Sequence, residues 1–251
     1  MFSLRAPPAK LSASATATKT VMEWNRSIII PVYEILYSIL KVFFFKVNHE
    51  KVRPVDQTTI FQPPINGVKI MARIKVITNE IANAEQKTLF GAIQSQLGTV
   101  PNFLKVLANS PEALKAFLGL HGIANDGSLD PQTRERIALA LAQQNECQYC
   151  LSAHTAIGRK AGLSGAEMDA NRAGTSHDAK AAAAVKFARA LVTHTGNVSN
   201  AELDEVRKAG YDDAEIVEII THVGMNLLTN LIGRASHVDI DFPKVELAKA
   251  A

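Results

Sequence analysis

The chain has 251 residues, 47% of them apolar and 20% charged, with a formal net charge of +3. That is enough for one sizeable core, or for one domain with an extension, at an ordinary globular composition. Only two cysteines are present and they stand close together, which excludes an extracellular disulfide framework and favours a reducing compartment.

The charge is unevenly spread. Residues 1–70 hold nine Lys/Arg against four Asp/Glu, and residues 71–251 hold 18 against 20. The second part is slightly acidic, so no nucleic-acid partner is expected. The change in composition divides the chain into an extension over 1–70 and a domain over 71–251. The first 27 residues are rich in Ala, Ser and Thr, with three basic residues before the first acid, Glu23, a pattern that suits an organelle transit peptide. Residues 28–45 are apolar but broken by Pro31, Glu34 and Lys41. A spanning helix needs about 20 mostly apolar residues, so an amphipathic or docked helix is the better expectation, and membrane contact is confined to this run. Because Met71 opens a self-contained stretch, residues 1–70 also read as upstream sequence translated from a wrongly chosen start. The expected location is cytoplasmic, or an organelle matrix or stroma if 1–27 is a transit peptide.

From Met71 onward the pattern is helical. Residues 82–98 place Leu89, Ile93 and Leu97 on one face, with Phe90 beside them, and close at Gly98. After a turn at Val100–Pro101 comes NFLKVLA; Ser110 then caps a helix entered through Pro111. NDGSLDP at 125–131 is a turn, and Asp130 with Pro131 starts a helix that carries Glu135 and runs to about Gln144. Asn145 is the predicted N-cap of the next helix, which runs to about Lys160 and ends at Gly162. Ser164/Glu167, Ser199/Glu202 and Asp212/Glu215 have capping-box spacing, and Asp178 starts a helix between them. No stretch alternates with period two, so the expected fold is all-α, with about seven or eight helices.

The chemistry-bearing stretch is ERIALALAQQNECQYCLSAH at 135–154. Cys147 and Cys150 form a C-x-x-C pair, and His154 follows Cys150 by one helical turn. Residues three and four apart share a helix face, so the three make one stripe. A cysteine in a first turn meets exposed N–H groups and the helix dipole, which favour its thiolate. The pattern points to a thiol redox site. The bland alternative is a pair of inert core cysteines. A c-type haem site needs His directly after the second Cys, where Leu151 stands. Zinc in an open Cys2His site is the remaining alternative, and a thioredoxin motif needs a βαβ setting that helical flanks do not give. The reading calls for no metal and no cofactor.

His222, Asn226 and Asn230 recur every four residues on the apolar last helix. They could line a cavity, but such stripes more often satisfy one another across a helix or subunit contact. His121 and His194 read as isolated structural histidines, His177 as solvated, and Asp239 and Asp241 as a wet acidic tail.

Glu135, Cys147, Cys150 and His154 resemble, in type and spacing, the AhpD-like alkylhydroperoxidases of the carboxymuconolactone decarboxylase superfamily. GTVPNF at 98–103 and NLLTNLIGRASHVDIDFP at 226–243 are similar to its peroxidase-related branch. The best-known members carry His just before the second cysteine, where this chain has Tyr149; a phenol passes a proton less readily near neutral pH. The resemblance implies an AhpD-like helical bundle, a peroxidatic second cysteine, and a homotrimer or hexamer.

Peroxide chemistry follows from these residues. A thiolate attacks a hydroperoxide and becomes a sulfenic acid; a second thiol condenses with it to a disulfide, which an external dithiol reduces. His154 and the resemblance make Cys150 the nucleophile, and Cys147 then resolves. Glu135 orients His154 or a water. The expected activity is a thiol-dependent peroxidase acting on alkyl hydroperoxides or hydrogen peroxide. The alternatives are a cofactor-free decarboxylase, whose chemistry needs no cysteine pair, and a non-catalytic thiol-sensing or assembly module. The last helix is apolar over so wide an arc, from Ile216 to Ile232, that one covering surface is expected to be another subunit, with the His222–Asn226–Asn230 stripe at or near that contact.

Overall fold

Six consecutive residues, Ile137 to Ala142, are almost wholly buried, and the helix that carries them is the axis of the domain. The computed structural model describes residues 72–248; the expectations for 1–27, for 28–45 and for a start at Met71 lie outside them. Among the described residues there are nine helices and no strand: α1 Ala84–Leu97, α2 Asn102–Leu107, α3 Pro111–Asn125, α4 Pro131–Gln144, α5 Gln148–Lys160, α6 Gly165–Arg172, α7 Ala179–Thr193, α8 Asn200–Lys208 and α9 Asp213–Ser236. The all-α expectation is met, with the short α2 taking the number past eight.

A helix apolar all round must be covered all round. Helix α4 packs against α5, α6, α7 and α9, and its alanines at 138, 140 and 142 let these neighbours come close. One cluster of apolar side chains, including Phe90, Phe103, Leu114 and Leu151, fills the side of α1–α3 and α5. A second, including Ile137, Leu141, Phe187 and Ile219, fills the side of α7–α9.

The helix starts follow the local sequence. Asn83, Ser110, Asp130, Ser164, Asp178, Ser199 and Asp212 each accept a hydrogen bond from the N–H three residues on. Each such cap is worth about 1 kcal/mol. Full capping boxes form at Ser199/Glu202 and Asp212/Glu215, as expected, and at Asn83/Gln86. At Ser164/Glu167 the box does not close. The Glu167 carboxylate turns inward to Arg136 Nε at 2.8 Å, the Asn171 amide at 2.9 Å and the His177 N–H at 2.9 Å. The exposed His177 ring lies 3.2 Å from the same carboxylate, in keeping with a solvated histidine. The expected stripe on α1 is also shifted: Gln86, Phe90 and Ile93 are its buried residues, and Leu97 is 58% exposed. Gln86 sets that rotation by donating from its amide to the Ala108 carbonyl at 2.7 Å.

Helix α9 is long and apolar enough to cross a membrane by length and composition, yet one face is domain core. Ile216, Ile219 and Val223 are buried, whereas Val217, Ile220, Leu227, Leu228 and Leu231 are exposed. The polar stripe lies on the buried side: His222, Asn226 and Asn230 are at most 4% exposed, which corrects its expected place at a subunit contact. His222 Nε2 donates to the Ala124 carbonyl at 3.1 Å, and Asn230 accepts from the Asn145 amide at 2.8 Å. The stripe fastens α9 to α3 and to the α4–α5 corner within the chain.

Burial alone would raise the Glu167 carboxyl, but hydrogen bonds from Ser176, Asn171, His177 N–H and Arg136 outweigh it and hold the pKa at about 2. A depressed carboxyl stabilises the fold fully above its unfolded pKa and loses that contribution as pH falls through the folded value. Glu167→Gln should therefore cost roughly 3 kcal/mol near pH 6. The difference from the unchanged protein should shrink as pH falls from about 4.5 towards 2, as urea unfolding at several pH values will show.

Candidate functional site

Helices α4 and α5 form an antiparallel hairpin, with Glu135 against His154 and the Gln132 amide donating to the Ala161 carbonyl at 3.0 Å. Its corner is three residues long. Asn145 ends α4, Glu146 takes the left-handed conformation at φ 54°, and Cys147 begins α5. Glu146 N–H donates to Gln143 and Cys147 N–H to Ala142, the paired bonds of a Schellman turn. Glutamate occupies the position that usually goes to glycine. This corrects the expected N-cap. Asn145 is spent closing α4, and Cys147 itself caps α5, its Sγ accepting the Cys150 N–H at 3.3 Å. Cys147 thus faces the free N–H groups of a helix start, where a thiolate is favoured.

Cys147 and Cys150 are joined as a disulfide, their Cα atoms 5.3 Å apart. Both are almost wholly buried, but only Cys150 lines a cavity of about 230 Å³ bounded by α1–α5, α9 and the C-terminal segment. Glu135 and His154 line the same cavity. Glu135 Oε2 lies 2.8 Å from His154 Nδ1. That contact places the Nδ1 proton towards the carboxylate and leaves Nε2 for proton transfer. All four residues singled out in the sequence therefore gather at the α4–α5 hairpin, with three on the cavity wall and Cys147 behind it.

Helix α9 closes the disulfide from the far side. Cys150 Sγ lies 3.7 Å from the Thr229 carbonyl. A Cβ added at Gly233 would come within 2.8 Å of Cys147 Sγ and 3.5 Å of Cys150 Sγ. Glycine at 233 is what lets the helix backbone lie against the sulfurs.

Several contributors were read otherwise or missed in the sequence. Asp241 is exposed, as expected of the tail, yet it is held in place: its carboxylate accepts the Tyr149 hydroxyl at 2.8 Å and the Asn102 N–H at 2.7 Å. Tyr149 also accepts the Phe103 N–H at 3.2 Å. Burial holds this phenol well above its ordinary pKa; the Phe103 N–H opposes the effect and Asp241 adds to it. Phe242 stacks edge-on against the Tyr149 ring at 5.8 Å between centroids. Arg134, His121, His222 and Asn226 also line the cavity, so His121 is not merely structural, and part of the α9 stripe serves a cavity as well as a helix contact. Desolvation is the first cause that holds His121 and His222 below the ordinary imidazole pKa, followed by the charge of His154 on His121 and that of Arg134 on His222. Solvent reaches His121, which screens the effect there. The His222, Asn226 and Thr229 spacing held a readable signal, one face of one helix; Asp241 held none, since its partners lie 92 and 139 residues away.

Among the described residues no group of three or more His, Cys, Asp and Glu is placed to hold a metal ion. Fold and site together define an all-α protein with a dithiol pair at an apolar cavity. Residues 111–193 match the model of the Carboxymuconolactone decarboxylase family. The fold is similar to that of an uncharacterized peroxidase-related protein from Silicibacter sp. TM1040, at 26% identity and a TM-score of 0.60, over 69% of this chain and 95% of that one. It is also similar to an uncharacterized peroxidase-related protein from Ralstonia eutropha JMP134 described as an alkylhydroperoxidase AhpD core, at 23% identity and a TM-score of 0.63, over 69% and 94%. A variant of the debrominase Bmp8 in complex with 2,3,4-tribromopyrrole shares the fold at 20% identity and a TM-score of 0.58, over 67% and 91%. None of the curated proteins matches the sequence. The matched segment and the shared fold are what the chain has in common with the AhpD-like and carboxymuconolactone decarboxylase proteins.

The close approach at Gly233 makes a sharp prediction. Gly233→Ala should destabilise the oxidised protein by about 1–3 kcal/mol, the range for overpacking a core. Denaturant melts of the oxidised and the reduced protein check it, with the larger loss expected in the oxidised form, where Cys147 Sγ is fixed.

Proposed function

We propose that the protein is a thiol-dependent peroxidase that reduces organic hydroperoxides through Cys150 and Cys147. The observation that carries this reading is the cavity: it presents Cys150 beside a hydrogen-bonded Glu135–His154 pair and leaves Cys147 behind. The similarity to two peroxidase-related proteins supports it.

In the reduced state His154 takes the Cys150 proton, with Glu135 holding its ring. The Cys150 thiolate attacks the terminal oxygen of the hydroperoxide. An S–O bond forms, the O–O bond breaks, and the alkoxide leaves as an alcohol after taking a proton. The Cys147 sulfur, favoured as thiolate at the α5 start, then attacks the Cys150 sulfenic acid; the S–S bond forms and water leaves. An external dithiol returns both sulfurs to the reduced state. Tyr149 has no part in the relay here, because its hydroxyl already donates to Asp241 and accepts from Phe103.

The namesake decarboxylation gives the cysteine pair nothing to do, so the pair at the cavity wall weighs against it. Reductive dehalogenation is favoured by one observation. The cavity has aromatic walls at Phe103, Phe117, Tyr149 and Phe242, and a fold neighbour is a debrominase bound to a flat brominated ring. There an aryl bromide and the dithiol would give the arene, hydrogen bromide and the disulfide.

In single turnovers with the pre-reduced full chain and cumene hydroperoxide, Cys150→Ser should abolish peroxide consumption. Cys147→Ser should accumulate a sulfenic acid on Cys150 that dimedone traps and mass spectrometry locates. His154→Gln should slow its formation roughly 100-fold, the usual weight of a general base. Label on Cys147 in Cys150→Ser, with none on Cys150 in Cys147→Ser, would reverse the assignment. Bromide release from 2,3,4-tribromopyrrole without peroxide consumption would move the dithiol to dehalogenation.

The open face of α9 carries a second proposal, that the chain is a homo-oligomer. Val217, Ile220, Leu228 and Leu231 are between 41% and 60% exposed, and Ile123 of the adjoining α3 is 77% exposed. Contiguous apolar surface of this kind is normally covered by another subunit. Trimeric or hexameric assembly rests on the resemblance alone. Light scattering on the full chain should give a multiple of the 27.1 kDa chain mass; a single-chain mass at every concentration overturns it.

A further inference from the structure

One feature of the cavity has no role in the peroxide chemistry: its charge is lopsided. Glu135 is the one carboxylate among the lining residues, and it is committed to His154. On the same wall, one residue earlier in α4, stands Arg134. Its guanidinium gives Nη1 to the Asn125 carbonyl at 2.6 Å. It forms no ion pair with a carboxylate among the described residues. His121 and His222 line the cavity too, and the charge of Arg134 is among the causes that lower the pKa of both. The Asn125 side-chain amide lies 3.2 Å from the His121 ring. The rest of the wall is largely apolar, with Ile93, Phe103, Phe117, Met225 and Phe242.

Capping the last carbonyls of α3 is the plain role of Arg134, and it uses one of five N–H donors. A half-buried cation without an ion-pair partner is costly, and Arg134 lines the cavity that a bound molecule would enter. The volume, about 230 Å³, is that of roughly eight water molecules, far more than hydrogen peroxide needs. Inorganic anions are too small and too polar for the aromatic wall. The ligand that answers both surfaces has an apolar body and one carboxylate.

We propose that the cavity binds an apolar organic carboxylate, with its carboxylate at Arg134 and His121 and the opposite end of the molecule at Cys150. Resting on the peroxidase reading, this makes the substrate a hydroperoxide that carries a carboxylate at the far end from its O–O bond. The two ends lie apart on the wall: Cys150 and His154 are one turn of α5, about 6 Å, from each other, and Arg134 follows on beyond the Glu135–His154 pair.

The test uses the full chain and two measurements. In the first, the pre-reduced protein meets either cumene hydroperoxide or its para-carboxylate, and the loss of free thiol is followed by stopped flow. The carboxylate should react roughly tenfold faster, the weight of one charge-assisted hydrogen bond. Arg134→Gln should bring the ratio of the two rates towards one, and His121→Gln should lower it by less. In the second, calorimetry follows 4-isopropylbenzoate, which has no peroxide, into the oxidised protein; saturable binding that weakens about tenfold in Arg134→Gln is expected. A rate ratio near one together with no saturable binding to the unchanged protein overturns the proposal. If neither hydroperoxide oxidises the thiols, the peroxidase reading falls and the titration alone decides: binding lost in Arg134→Gln upholds the carboxylate site, and absence of binding removes it.

Discussion

The three-residue corner between α4 and α5 is the constraint from which the site follows. With Glu146 left-handed and Cys147 bonded back to Ala142, α5 must turn back along α4. The reversal fixes the register that sets Glu135 against His154. It also makes Cys147 the N-cap of the helix rather than a member of its first turn, so the two sulfurs differ in surroundings although they belong to one motif. One sits on the helix terminus and the other on the cavity wall. In the proposed peroxide cycle that difference would divide the C-x-x-C pair into an attacking and a resolving thiol without rearrangement of the backbone.

Everything else near the sulfurs serves to leave one direction open. Gly233 allows α9 to seal the far side. Tyr149, between the cysteines, is pinned by Asp241 and by the Phe103 N–H, and the chain after Asp241 lies along α5. Val245 N–H donates to the Ser152 hydroxyl at 3.0 Å, and the Gln148 amide donates to the Val245 carbonyl at 3.3 Å. The residue that stands where related proteins carry a histidine is therefore a fastening. Its hydroxyl ties α5 to the start of α2 and to the C-terminal segment.

Much of this was legible from local chemistry. The caps at Ser110, Asp130, Asp178, Ser199 and Asp212 could be read because each needs only a side chain and an N–H three residues away. Cys147, Cys150 and His154 could be read because helix periodicity alone brings them together, and Glu135 because the resemblance named its spacing. What could not be read depends on contacts across the fold. Asn145 looks like an N-cap by residue type, but a left-handed Glu146 has no sequence signal to match a glycine. Glu167 has capping-box spacing and is drawn away by Arg136, 31 residues earlier. Asp241 and Gly233 acquire their roles only once α9 and the chain after it have docked. The His222 stripe was assigned to a helix contact, and part of it also faces the cavity.

The placement of α4 explains why one wall carries both the Glu135 carboxylate and the Arg134 cation. A helix buried on every side can present polar residues only near an end, and Arg134 and Glu135 lie in the first turn and a half of α4. Burial has already removed most of the water that would screen them. Glu135 answers this by pairing with His154. Arg134 answers it in part, with a carbonyl at the end of α3, and keeps its full charge. A carboxylate bound there, as proposed, would give this cation a counter-charge, and its apolar remainder would displace water from Phe103 and Phe117, both favourable. Neither gain requires any movement of the cysteine pair, so the proposed recognition and the proposed redox chemistry would share one cavity without sharing residues.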